Sequence, residues 1–114
     1  MLTIQGLKDL GVNTDEGLAR CLNNEAFYFR LINMALNDAA YDSLRASFDA
    51  GDDKKAFEDA HKLKGMLGNL SLTPIFDPVS ELTEILRGNA DGDKEALYAE
   101  IVKQRDALIA LANG

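Results

Sequence analysis

A chain of 114 residues, 46% hydrophobic and 27% charged, has the length and composition of one ordinary globular domain, taken as 1–114, with a single modest core. Its formal charge of -7, from 19 acidic and 12 basic residues, argues against nucleic acid as a partner, because binding a polyphosphate depends on clustered Lys and Arg. No apolar run approaches about 18 residues, so no membrane span is expected, and the single Cys21 excludes an internal disulfide and a cysteine metal cluster.

The opening Met1-Leu2-Thr3-Ile4-Gln5 lacks the basic and apolar regions of a signal peptide, and a cytoplasmic location is the expectation. Met1 and the short Asn113-Gly114 end favour a free-standing chain. Apolar residues at Leu2, Ile4, Leu7 and Leu10, followed by Gly11, predict a short helix closed by a glycine. Asn13 or Thr14 starts a second short helix through about Leu22, with Asp15 and Glu16 in its first turn and Leu18 and Leu22 facing inward. Cys21 reads as a small buried hydrophobe near that helix end.

From Asn24 to about Asn37, Phe27, Leu31 and Met34 with Tyr28, Ile32 and Ala35 make a wide apolar face, and Phe27, Phe29 and Met34 are expected in the core. A further helix runs from Asn37-Asp38 to about Ala50, with Tyr41, Leu44, Ala46 or Ser47 and Phe48 as its apolar set. Gly51-Asp52-Asp53 stops it and starts the next, a connection short enough to force a helical hairpin. That next helix spans about Asp53 to Leu70. Thr73 is expected as N-cap of the following one with Pro74 at its first position, while Pro78 leaves open whether regular helix begins at Pro74 or only at Pro78. Val79, Leu82, Ile85 and Leu86 form its inward stripe up to Arg87-Gly88. Asp93 caps a last helix to about Ala112, with Leu97, Ile101, Gln104, Leu108 and Leu111 at helical spacing. The predicted fold is all-α: an antiparallel up-and-down four-helix bundle with a short helical N-terminal segment.

The segment Ala60-His61-Lys62-Leu63-Lys64-Gly65-Met66-Leu67-Gly68-Asn69-Leu70 holds the only histidine. At roughly 100° per residue, Ala56, Ala60, Leu63, Met66, Leu67 and Leu70 share one side of a helix and His61 points away from it. Phe57 lies one turn before His61, Lys64 and Gly65 one turn after, and Gly68 two turns after. Each interior glycine costs a helix about 1 kcal/mol relative to alanine, so two on the histidine face call for a reason. Periodicity turns both away from the apolar stripe, which argues against a role in helix packing and leaves room for another protein's surface. Lys54, Lys55, Lys62 and Lys64 make this helix locally less negative than the rest of the chain and suit a partner with a carboxylate-rich site. Ordinary pairing with Glu58 and Asp59 accounts for Lys54 and Lys55 equally well.

Histidine, then leucine two residues on, lysine three on and glycine four on, within a helix of an antiparallel bundle, is the core pattern of the histidine-containing phosphotransfer (HPt) domains of multistep two-component signalling. His61, Leu63, Lys64 and Gly65 match it position by position, and the chain resembles that family. Asn69, Ile75 and Leu82 fall where the family usually has an asparagine and two spaced aliphatics. Met66 and Leu67 stand where small or hydroxyl residues are frequent, Ser71 where a second glycine is common, and Thr83 where glutamate is frequent.

The resemblance implies a phosphorelay intermediate that accepts a phosphoryl group on His61 from a receiver-domain aspartate and passes it to another. A neutral imidazole is a competent nucleophile because histidine titrates near neutrality. Lys64 would hold its ammonium near the phosphoryl oxygens. Phe57, Lys62, Gly65 and Gly68 are the candidates for partner contact, Phe57 having an equal claim as an edge-of-core residue. Expected partners are response-regulator receiver domains and a hybrid sensor histidine kinase. The chain is expected to be a monomer without autonomous kinase activity and without a cofactor of its own, the magnesium belonging to the partner receiver. Neither a glycine-rich nucleotide loop nor a histidine or cysteine metal cluster is legible. Two alternatives remain: an adaptor bundle that binds a signalling partner through the same face without phosphorylation, and a small helical enzyme or structural bundle in which His61 is incidental.

Overall fold

Side-chain caps set where the helices begin. In a computed structural model that describes all 114 residues, Thr3, Asn13, Asn24, Asp52 and Asp93 each accept a hydrogen bond from a backbone N–H in the first turn they precede. The helices that follow are α1 (Ile4–Asp9), α2 (Thr14–Arg20), α3 (Glu25–Leu36), α5 (Asp53–Asn69) and α7 (Lys94–Asn113), with α4 (Ala40–Ala50) and α6 (Thr73–Arg87) between them. Ala39, at the start of α4, has no capping side chain of its own, and Asp38 Oδ1 accepts from Ala40 N–H at 2.8 Å instead. Gly51 and Gly88 end α4 and α6 at φ of 70° and 92°, the left-handed conformation that spares glycine a side-chain penalty.

The chain is all-helical, and α5 lies at its centre, packed against α4 on one side and α6 on the other; α6 packs in turn on α7, which also meets α3. Ala56, Ala60, Leu63, Leu67 and Leu70 of the predicted stripe are buried, while Met66 stands half-buried at its edge. They meet Leu44 of α4, Ile75 and Leu82 of α6, and Ile101 and Leu108 of α7 in one core. Each fully buried leucine or isoleucine is worth about 1.5–3 kcal/mol. No helix is long and apolar enough to cross a membrane.

The N-terminal helices grip the turn between α5 and α6. Tyr28 Oη donates to the carbonyl of Leu70 at 2.8 Å, Asn13 N–H donates to the carbonyl of Ser71 at 3.2 Å, and the Arg20 guanidinium donates to the carbonyl of Gly68. Tyr28 fits because Gly17 has no side chain: a Cβ there would stand 2.3 Å from the tyrosine oxygen.

Several expectations are corrected. Leu22 is 87% exposed, because α2 stops at Arg20 and Leu22 and Asn23 turn left-handed at φ of 58° and 57°; Thr14, Gly17 and Cys21 are buried there instead. Met34 is 63% and Phe27 36% exposed. Tyr28, Ile32, Ala35 and Leu36 fill the single sector of α3 that the bundle covers, and Phe29 packs against its margin. Of the two alternatives on α4, Ser47 is the one that faces inward, its hydroxyl donating to the Ser43 carbonyl at 2.9 Å, and Ala46 is exposed. Thr73 is the first residue of α6 rather than its cap: Leu72 holds that position, and the Thr73 hydroxyl donates back to Ser71. The helix runs through Pro78, which is buried in the second turn, where the bond it cannot donate would have gone to the Pro74 carbonyl.

Candidate functional site

His61 sits on the exposed side of α5, directly after buried Ala60 and two residues before buried Leu63, so helical rotation alone turns its ring to solvent. The imidazole lies against the ring of Phe57, one turn earlier, with centroids 5.7 Å apart and planes tilted by 33°. Phe57 is half-buried, and its ring carries the Arg87 guanidinium at 5.0 Å from the centroid. A row therefore runs His61, Phe57, Arg87 from α5 onto the end of α6.

Lys64 closes the same side. Its Nζ lies 4.0 Å from Oε1 of Glu84 on α6, and Arg87 Nε lies 3.4 Å from that same oxygen. Asn89, just past the Gly88 cap, donates from Nδ2 to the other carboxylate oxygen at 3.2 Å. The Asn89 hydrogen bond foremost, and then the charges of Arg87 and Lys64, hold the Glu84 carboxyl below the usual carboxylate range.

The remaining lysines of α5 are largely engaged. Lys55 pairs with Asp59 at 2.8 Å, and that buried carboxylate also accepts from the Ser43 hydroxyl at 2.7 Å, with the Ser47 hydroxyl 3.3 Å away as an alternative donor, stitching α5 to α4. Lys62 pairs with Asp38 at 3.3 Å on the flank away from Glu84. Gly65 faces open space, with nothing within 4 Å of a Cβ built there.

Gly68 departs from the expectation that both glycines stand clear of helix packing, since a Cβ there would meet the Phe76 ring of α6 at 3.2 Å. Its small size lets α6 approach at that point, and only Gly65 leaves the histidine face bare. The structure thus brings His61, Phe57, Lys64 and Gly65 together, sets Lys62 on one flank and places Gly68 beneath Phe76. Arg87 and Glu84 were not singled out from the sequence; the available signal was an Arg three residues after a Glu at a helix end, a pattern common to many solvated faces. The resulting surface offers a ring nitrogen able to act as a nucleophile, one cation a turn further along the helix, a second across the Phe57 ring, and open space at Gly65.

The family model described as Hpt domain matches residues 34–114, from the last turn of α3 through α7. No curated protein and no solved structure matches the chain.

Proposed function

Because the chain belongs to the Hpt domain family, whose members are histidine phosphotransfer modules of two-component phosphorelays rather than kinases, we propose that His61 is its phosphoacceptor and that the chain relays a phosphoryl group between receiver-domain aspartates. The observation that carries the reading is the exposed imidazole on α5 with Lys64 one turn on and open space at Gly65. In the proposed step the lone pair of the unprotonated ring nitrogen forms an N–P bond as the O–P bond to the partner's aspartate breaks. The bonding electrons return to that carboxylate, and the other ring nitrogen keeps its proton. The return reaction, to a second receiver, runs the same sequence backwards.

Such a transfer asks for an in-line nucleophile and positive charge around the equatorial oxygens. His61 supplies the first and Lys64 part of the second; the receiver brings the aspartate and its magnesium. Phe57, Gly65 and Lys62 form the contact surface around the ring, with Gly68 at its far margin. In this reading α4 to α7 constitute an antiparallel up-and-down four-helix bundle, which the short connections at Gly51-Asp52 and Leu70-Ser71-Leu72 support, and the chain acts as a cytoplasmic monomer.

The test is phosphotransfer from a panel of phosphorylated receiver domains with magnesium, reading an acid-labile, alkali-stable label on the wild type and on His61→Gln in parallel. Label on the wild type alone is expected, with thermal unfolding of the variant unchanged to within about 0.5 kcal/mol, as suits an exposed position. Tight binding of a receiver without label on either protein would overturn the reading in favour of an adaptor.

A further inference from the structure

Two cations flank the histidine face, Lys64 one turn after His61 and Arg87 over the Phe57 ring, and they already have an anion that belongs to this chain. Lys64 Nζ and Arg87 Nε converge on Glu84 Oε1 from different helices, at 4.0 and 3.4 Å. Both separations exceed a good N–H···O hydrogen bond, and the side chains of Lys64, Arg87 and Glu84 are 32%, 42% and 37% exposed. These are loose pairs, able to exchange. Glu84 is less free than its partners. Asn89 Nδ2 holds its Oε2 at 3.2 Å, while the Asn89 backbone N–H donates to the Glu84 carbonyl at 3.0 Å across the left-handed Gly88. The carboxylate is thus anchored from the turn after α6, and its other oxygen faces the cations.

We infer that Glu84 is the resident counter-anion of the phosphoryl site: it holds Lys64 and Arg87 in reserve while His61 is bare, and releases them to the phosphoryl oxygens when His61 is loaded. The inference rests on His61 being the acceptor. A phosphoryl group carries more negative charge than a carboxylate and three strong acceptor oxygens, so it competes well for both cations. Arg87 reaches that face along the Phe57 ring and presents planar donors. Lys62 pairs instead with Asp38 on the other flank of α5, away from Glu84. The exchange sets a cost on loading, since each cation leaves one anion for another, and it eases unloading, since Glu84 waits to take them back. In a relay that must give up its phosphoryl group, Glu84 is a positioning residue that tunes how firmly the group is held.

The test uses potassium phosphoramidate as a donor that needs no receiver. Its P–N bond breaks with loss of ammonia as the bond to the His61 ring nitrogen forms, and phosphorus NMR follows the phosphohistidine signal. Glu84→Gln keeps the side-chain length and an acceptor for Asn89 while removing the charge. It is expected to acquire the signal about two- to fivefold faster than wild type at low salt, the range set by partly exposed ion pairs, with the gain shrinking as salt rises. Glu84→Ala, a second variant for the event that the first folds poorly, is expected to show the same gain. In a Lys64→Ala/Arg87→Ala background the gain from Glu84→Gln is expected to vanish. Absence of any gain would overturn the exchange, and so would an equal gain without the two cations, since Glu84 would then act by plain repulsion. No phosphohistidine on the wild type would instead overturn the assignment of His61, and the inference with it.

Discussion

Arg87, in the last turn of α6, holds its guanidinium carbon 5.0 Å from the centroid of the Phe57 ring on α5. Phe57 in turn stands 5.7 Å from the imidazole of His61, so the phenyl ring is the platform that carries a cation from one helix to the histidine face of another.

Removing Arg87 or Lys64 should slow phosphoryl transfer without preventing it. Arg87→Ala is expected to lower the single-turnover rate from a phosphorylated receiver about two- to tenfold, and Lys64→Ala by a similar factor, each having supplied one of two positive charges near the oxygens. Arg87→Lys should recover only part of the loss, because a point charge neither stacks on Phe57 nor presents a planar fork. Rates equal to wild type in both alanine variants would mean that the phosphoryl group sits elsewhere.

The two glycines of the histidine face should separate cleanly. A Cβ at Gly65 meets nothing within 4 Å, so Gly65→Ala is expected to stabilise the fold by about 0.5–1 kcal/mol through helix propensity, and Gly65→Leu to weaken receiver binding by crowding the ring. At Gly68 the new Cβ would stand 3.2 Å from Phe76, and the same propensity gain is offset by displacing that ring. Urea unfolding of the two alanine variants checks the contrast: a midpoint rise for Gly65→Ala and little or none for Gly68→Ala.

The contrast between those glycines also marks how far the sequence could be read. One helix's periodicity locates the buried stripe Ala56, Ala60, Leu63, Leu67 and Leu70 and turns His61 outward, because both facts belong to a single cylinder. The caps at Asn24 and Asp93 are local and equally legible, whereas Thr73, which reads as a cap, is the first residue of α6 behind Leu72. Phe76 over Gly68, Arg87 on Phe57 and Glu84 between Lys64 and Arg87 each join two helices, and nothing in the spacing within either one reveals which residues meet. The wide apolar face of α3 failed for a related reason. Its neighbours cover one sector, and Phe27 and Met34 lie outside it, a limit imposed by the partners of α3 rather than by its own residues.

The tie between α4 and the start of α7 should depend on pH and salt. Arg45 is bidentate to Glu95, at 2.9 and 3.0 Å, and bonds Asp49 at 2.6 Å, while its guanidinium lies 5.0 Å from the Tyr98 ring centroid. Its hydrogen bonds hold both carboxyls below their usual range. A carboxyl whose pKa is lower in the folded than in the unfolded chain stabilises the fold above its ordinary pKa, near about 4, and loses that contribution as pH falls through the folded value. Arg45→Met should therefore unfold more easily than wild type at pH 7, with the difference shrinking towards pH 3 and in about 1 M salt. Thermal unfolding across that pH series is the measurement, and a difference independent of pH would assign the effect to packing on Tyr98 alone.

Ser71 is one of the positions at which the sequence departs from the HPt pattern, and its backbone adopts the conformation that favours glycine. After α5 ends, Ser71 turns left-handed at φ of 56° while Leu72 N–H returns to the carbonyl of Leu67 at 3.0 Å, the bond pattern of a helix closed by a residue that glycine fills best. A side chain in that conformation costs about 1–2 kcal/mol, and the Ser71 hydroxyl, buried with no partner, adds about 1 kcal/mol more. Against this, glycine gives the unfolded chain extra freedom worth about 0.5–1 kcal/mol. Ser71→Gly is thus expected to stabilise the protein by about 1–2.5 kcal/mol in urea unfolding, leaving transfer through His61 unchanged, since the turn lies at the far end of α5 beyond Gly68. A loss of stability would show that the hydroxyl is satisfied in solution, and that the Asn13, Arg20 and Tyr28 bonds to this turn depend on the serine holding it in place.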